Sequence, residues 1–492
     1  MRNTCVLLLA VLALLAVALA VSAHRDDERW GRRGEEERWP EGRGRREEEE
    51  RGEEEEERRS ERRGRRREEE RGGDEGGTGR REGDEWFLLQ DAKSVVRTYA
   101  GSMKVVKGFG RSPMHIGFIT MEPKSLFVPQ YLDSSLILFV RRGEARVGNI
   151  YKDELVERRL KVGDIYRIGA GSAFYLVNEA EGQRLHIVCS IDTSDSSLPH
   201  TFQSFYIGGG TYPKSVLSGF DRLTLSTALN VTEEEVNDML TSQDEGPIVY
   251  LSNTTHSPRS SMRRISQMRG EESTWSFRKM MNSFLDWSDK KKGDKKWGGR
   301  TGKGPDAYNL YDRKPDFKND YGWSIALDHK AYPPLRHNDI GVYLVNLTAG
   351  AMMAPHINPM AIEYGIVLRG SGTIQIVYPN GSLAMNAKVN EGDVFWIPRF
   401  FPFCQIASRT GPFEFFGFTT SARNNWPQFL VGANSLLHAL RGPEFAASFG
   451  MSEAGLDGII DAQRESAILP TATVAPPDER APVGGGVREM VT

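Results

Sequence analysis

The sequence predicts a mostly β protein made of two copies of one unit, each a small β-barrel followed by a short helical patch. Three observations carry this. From about Val95 to Ile191, apolar runs such as HIGFITM, SLILFV, DIYRI and FYLVN are broken every few residues by Gly, Pro and Asn, the pattern of short strands joined by turns. The same texture returns in GVYLVNLTAG, EYGIVLRG, GTIQIVYPNG, DVFWIP and FEFFGFTT. A helical stripe also occurs twice. Thr232, Val236, Met239, Leu240 and Gln243 correspond, at one constant offset, to Ser452, Leu456, Ile459, Ile460 and Gln463. Upstream, Gly163-Asp164 corresponds to Gly392-Asp393. An internal duplication explains all of these together.

Taken in chain order, the segments divide by composition. Arg2, the apolar run CVLLLAVLALLAVALAV and the small residues Val21 and Ala23 form a secretory signal peptide over 1–23. A membrane anchor is the alternative, but no basic stop-transfer flank follows at once. Residues 24–85 are almost only Arg, Glu, Gly and Asp. Such an arm has nothing to bury and is expected to be disordered. Residues 86–255 form the first barrel and its helices, where Thr232 and Glu235 make a capping box. A flexible linker over 256–305 contains the basic, Gly-rich SDKKKGDKKWGGRTGKGP. The second barrel and its helices occupy 306–470, and 471–492 is a disordered tail. Each helical stripe must bury against its own barrel's flank or against another subunit.

The bulk numbers exclude several functions. The 492 residues carry a formal net charge of -3, and the acidic and basic runs of the arm largely cancel, so neither nucleic acid nor membrane is an expected partner. Cys5 leaves with the signal peptide. Cys189 and Cys404 remain, far apart, and are no disulfide framework. They could pair, but two buried thiols are the expectation. Among nucleophile arrangements, Ser190 with His186 lacks a third member with a matching role.

Two linked glycine-framed patterns can be fitted to both halves: Gly-x5-His-x-His-x4-Glu-x6-Gly, then Gly-x5-Pro-x-Gly-x2-His-x3-Asn. Gly350, His356, Glu363 and Gly370 fit the first, and Gly392 and Pro398 open the second. In the first half Gly143, Gly163, Gly171 and Asn178 fit. With these motifs the chain resembles a bicupin, two cupin jelly-roll barrels in one chain. It resembles more closely a vicilin-like seed storage globulin, through LSGFDRLTLSTALNVTEEEVNDML, YNLYDRKPDFKNDYGWS, NNWPQFLVGANSLLHAL and DAQRESAIL. The resemblance implies a nutrient reservoir, a homotrimer, and a secretory route to the seed's protein storage vacuole. We expect the trimer to be held largely by the two helical stripes, through residues such as Leu240 and Ile460.

The resemblance also locates a metal site and its erosion. In the first half the metal positions read Gln130 or Tyr131, Leu136 and Phe174, so that barrel is expected to be metal-free. In the second half His356 and Glu363 survive, with Asn358 and Phe403 at the two remaining positions. Cys404 lies beside Phe403 and joins them if the strand register slips. A His356, Glu363 and Cys404 set suits zinc or copper. The alternative is a hydrogen-bonded core histidine and a buried thiol. His356 and Glu363 converge only if the chain bends between them, which Pro359 favours. Two rivals to storage follow: a zinc- or copper-dependent hydrolase or peptidase built on this set, and a barrel that binds a small molecule. Glycan acceptors are expected at Asn380, in the turn YPNGS, and at Asn253; Asn230 and Asn346 adjoin a cap and a strand.

Overall fold

The computed structural model describes residues 84–108, 114–152, 154–198, 201–251, 306–420, 423, 425–470 and 475–476. The signal peptide, nearly all of the arm, the linker over 256–305, most of the tail and Asn253 lie outside the described residues.

Two pairs of antiparallel sheets make two jelly rolls. In the first barrel one sheet runs Ala92–Thr98, Gly101–Val106, Met114–Met121, Leu185–Asp192, Ser135–Arg142 and Asp164–Ile168. Its partner runs Ser204–Tyr206, Ser125–Leu132, Phe174–Asn178, Ala145–Tyr151 and Glu154–Leu160. The second barrel repeats this. One sheet orders Phe317–Asn319, Gly322–Leu327, Gly341–Leu347, Phe413–Thr419, Glu363–Arg369 and Val394–Ile397. The other orders Leu383–Asn390, Ser371–Val377, Phe403–Ala407, Ala351–Met353 and Ile468–Pro470. The paired Gly-Asp turns are real equivalents: Gly163 and Gly392 take φ of +88° and +95°, a region that favours glycine.

Strand chemistry follows from what each face meets. In Ser371–Val377, Gly372, Ile374 and Ile376 are buried while their neighbours are partly open, the alternation of a strand with one solvent face. In Ser135–Arg142 the first six residues are all buried. Leu136, Leu138 and Val140 fill the first barrel. Ile137 and Phe139 turn the other way, into a core shared with Tyr364, Ile366, Phe416 and Phe418 of the second. The rings of Phe139 and Phe416 stack with centroids 3.9 Å apart. Each barrel thus offers one sheet to the other, and those strands read as continuous apolar runs because both faces are covered.

Two segments of the chain also cross between the barrels. Phe87 is fully buried in the core of the second barrel. Leu89 N–H donates to Val394 O at 2.8 Å, and Trp396 Nε1 donates to Trp86 O at 2.6 Å. In return, Tyr308–Asn309 pairs with Asp164–Ile168 of the first.

The helical patches keep their stripes largely to themselves. Thr232 caps Glu233–Thr241 with the expected capping box, and Ser452 caps Glu453–Asp461. Val236 and Leu240 pack on Leu225 and Leu217, and Leu456 and Ile460 on Ala446, Leu437 and Phe445. This corrects the expectation for Leu240 and Ile460: both are buried within this chain, so they hold the patch together rather than a subunit contact. The stripe residues left open are Met239, 44% exposed, and Ile459, 61% exposed.

Candidate functional site

The polar interior of the second barrel is built at a break in one strand. Ala351–Met353 ends, His356–Ile357 pairs with Phe403 and with Gln428–Phe429, and the chain bends over 358–362 before Glu363–Arg369 begins. The bend brings His356, Asn358 and Glu363 to one cavity of about 370 Å³. Tyr343 and Gln405 also line it, with the apolar walls Phe415 and Phe429. Gly417 makes room for Tyr343, since a Cβ there would overlap the phenol ring. The exposed lining residues Asp316, Lys330, Arg423 and Trp426 mark where the cavity opens to solvent.

Each buried polar group has a defined environment. His356 Nδ1 lies 2.8 Å from Ala354 O, a partner that only accepts, so Nδ1 carries the proton and Nε2 is left as an acceptor. Its ring lies against Phe403 and Phe429, with centroids 4.0 and 5.3 Å away. Burial pushes its pKa down to about 4, slightly offset by the Ala354 bond, so the ring is neutral at neutral pH. Asn358 Nδ2 donates to Glu363 Oε2 at 2.8 Å and Asn358 Oδ1 accepts from Asn425 at 3.0 Å. Gln405 Nε2 donates to Glu363 Oε1 at 3.4 Å. Burial raises the Glu363 carboxyl to about 7, against the hydrogen bonds from Tyr343 and Asn358. The single Tyr343 O–H lies between two acceptors, Tyr364 O at 3.1 Å and the Glu363 carboxylate; burial and then Glu363 hold its phenol well above its ordinary value.

Cys404 does not join this group. It follows Phe403, which faces His356, and precedes Gln405, which faces Glu363. The strand's alternation therefore turns it to the opposite face, where it packs with Ile406, Ala475 and Met352. Its thiol lies 4.0 Å from Gln375 Oε1 and is raised to about 11 by burial. The expected His356, Glu363 and Cys404 constellation is thus corrected to His356 and Glu363 alone, with amides beside them. One imidazole and one carboxylate fall short of the three or four ligands of a firm zinc or copper site. Among the described residues no group of three or more His, Cys, Asp or Glu is placed to hold a metal ion. Cys189 and Cys404 are both free and buried.

The first barrel has a cavity of its own, about 330 Å³, lined by Val96, Met103, His115, Phe202 and Tyr206, but the positions equivalent to the second barrel's polar group are apolar or unbonded. Leu136 and Phe174 lie in its apolar core with Leu176. Tyr131 stacks on Phe205 at 4.9 Å. Gln130, 1% exposed, has no hydrogen-bond partner for either side-chain polar atom among the described residues. Asn380 stands in the exposed turn between Ser371–Val377 and Leu383–Asn390, and its Oδ1 accepts from Ser382 N–H and Oγ at 3.0 and 2.7 Å. Asn230 ends a helix at φ +55°, and Asn346 lies within a strand. Sequence reasoning missed Gln405 and Tyr343. Gln405 was within reach, because it shares the inward face of Phe403 two residues on.

A family model described as Cupin matches residues 308–455. A vicilin-like seed storage protein of Arabidopsis thaliana is 54% identical over 422 residues, 80% of this chain and 81% of that protein. A second from the same plant is 32% identical, over 78% and 73%. Among solved structures, vicilin of Corylus avellana (hazelnut) superposes with a TM-score of 0.64 at 23% identity, over 78% of this chain and 99% of that one. A vicilin of Solanum melongena, whose structure revealed different anionic ligands in structurally similar pockets, has a TM-score of 0.63 at 21% identity, over 78% and 97%. These structures share the fold.

Proposed function

We propose that this chain, which belongs to the vicilin-like seed storage proteins, carries out its reservoir role as a homotrimer. Its function is that of a vicilin-type seed storage globulin. One observation carries the assembly reading. The two helical patches are equivalents within one chain, and each leaves apolar side chains open beside its buried stripe. Leu223 is 66% and Met239 44% exposed on one; Phe449 is 56% and Ile459 61% exposed on the other. Two related but different surfaces can meet head to tail and close a ring. Sedimentation velocity tests this. The native protein is expected to run as a trimer, and Met239→Asp with Ile459→Asp as a folded monomer; a double variant that stays trimeric removes the patches from the interface.

The signal-peptide pattern over 1–23 supports a secretory route ending in the storage vacuole. Among the described residues no helix is long and apolar enough to cross a membrane. The exposed Asn380 turn supports a glycan at that residue; release of one glycan mass by amidase, lost in Asn380→Gln, checks it. Catalysis is not the reading this geometry favours, since a zinc- or copper-dependent hydrolase lacks its third ligand once Cys404 faces away. A second reading, a small molecule held in the barrel, is favoured by the cavity of about 370 Å³, within the size range of ligand sites. The Solanum melongena vicilin, with different anionic ligands in structurally similar pockets, supports a barrel that holds a small molecule.

A further inference from the structure

We propose that the cavity of the second barrel takes a small organic cation, a protonated primary amine, held by Glu363, Gln405 and His356. This rests on the small-molecule reading and names the class of ligand.

The buried polar lining is rich in acceptors. The side chains concerned are His356, 4% exposed, Asn358, 2%, Glu363, 6%, and Gln405, 1%. Their amide donors already point at Glu363: Asn358 Nδ2 to Oε2 and Gln405 Nε2 to Oε1. The one Tyr343 O–H is already committed to Tyr364 O or to Glu363. Each amide keeps a second N–H, but the buried amide atom of this lining left with no partner at all is an acceptor. Gln405 Oε1 is buried without a hydrogen-bond partner. His356 Nε2 is an acceptor because Nδ1 is bonded to Ala354 O. Glu363 has no Lys or Arg partner among the described residues. A buried acceptor without a donor and a buried carboxylate without a cation are each costly. One ammonium group, with three donors and a positive charge, answers both.

The walls agree. Tyr343, Phe415 and Phe429 line the same cavity, and aromatic faces attract organic cations. The two cationic lining residues stand at the solvent opening. Arg423 is paired there with Asp339 at 3.2 Å, and Lys330 lies 6.0 Å over the Trp426 ring. An anion entering the cavity meets Glu363 with no cation beside it. A bare metal ion has one imidazole and one carboxylate for strong donors, in a space many times its own volume.

The test is calorimetric titration of the full-length protein at pH 8 with n-butylammonium chloride, with sodium acetate and zinc chloride as separate arms. The expected result is saturable binding of one butylammonium per chain. It is weakened at least about tenfold by Glu363→Gln, as for loss of a hydrogen bond to a charged group, and severalfold by Gln405→Leu, with both variants cooperative in thermal unfolding. If Glu363→Gln fails to fold, Gln405→Leu alone carries the comparison. Acetate bound in place of butylammonium overturns the cation but keeps a small-molecule site. Zinc bound in a Glu363-dependent way, without butylammonium, replaces it with a metal site. Absence of binding in all three arms overturns both the inference and the reading beneath it.

Discussion

The two barrels share a topology and differ in what fills them. Where the second holds Glu363 facing Gln405 and Asn358, the first holds Leu136 in a core with Phe174 and Leu176. Yet the wall they share is built alike from both sides, with Phe139 stacked on Phe416 and Ile137 and Ile366 in one core. The jelly roll therefore depends on its strands' apolar faces, and the chemistry of its interior is free to vary. Both barrels bury polar side chains, Gln130 and Asn149 in the first, but only the second gathers an imidazole and a carboxylate around one cavity, and burying an ionisable carboxyl carries the larger desolvation cost.

The sharpest way to break the comparison is to move the acid across. Leu136→Glu places a carboxylate in an apolar core without a cation, and is expected to cost about 4 kcal/mol or to abolish folding of the first barrel. Denaturant unfolding measures this. A loss under 1 kcal/mol would show that the first barrel tolerates what it lacks.

Removing the acid from the second barrel works in the opposite direction and depends on pH. Glu363 titrates near 7 when folded and near 4.5 as an ordinary carboxyl. The folded state therefore holds a proton the unfolded state has released, so its contribution is full below about 4.5 and is lost as pH rises through 7. Glu363→Gln should be more stable than the native protein by up to about 3 kcal/mol at pH 8, a gain that vanishes near pH 4. A glutamine there can also donate to Gln405 Oε1. His356 has the opposite sign: its folded pKa, about 4, lies below the ordinary 6.5, so its contribution fades as pH falls through that window. The two slopes offset each other in the native protein. Glu363→Gln unmasks a stability that rises between pH 4 and 6.5, readable from unfolding midpoints across pH.

Within the helical patches the contrast is between neighbours in one stripe. Leu240→Asp buries a charge against Leu225 and should cost about 3 kcal/mol, whereas Met239→Asp should change stability by under about 0.5 kcal/mol and act on assembly. The smallest effect is expected at Cys404. Cys404→Ala should lose about 1 kcal/mol of packing and leave butylammonium binding unchanged; weaker binding would return the thiol to the site.

Much of this was legible in the sequence because it is written in short-range pattern. The Gly-Asp turns, the capped helices and the strand runs are local, and each stands where the pattern put it. His356 and Glu363 were legible through spacing, and their convergence through Pro359. Cys404 was misread because a slipped register was allowed where plain alternation sufficed: if Phe403 faces in, its neighbour faces out. Tyr343 reaches the site from a strand far along the chain, and no motif marks it. The crossing of Trp86–Leu89 into the second barrel was illegible for the same reason, since composition shows that a segment will be buried and not where. Met239 and Leu240 fall on one apolar stripe, and only packing tells which is covered.

The claim that the second barrel, and not the first, is a binding site is tested most directly by a crystal structure of the protein grown with n-butylammonium chloride. The account predicts density for the amine beside Glu363 and Gln405 Oε1, with Leu136, Phe174 and Leu176 in unbroken contact. Density in the first barrel near Gln130, or none in the second at a concentration that saturates binding in solution, would contradict it.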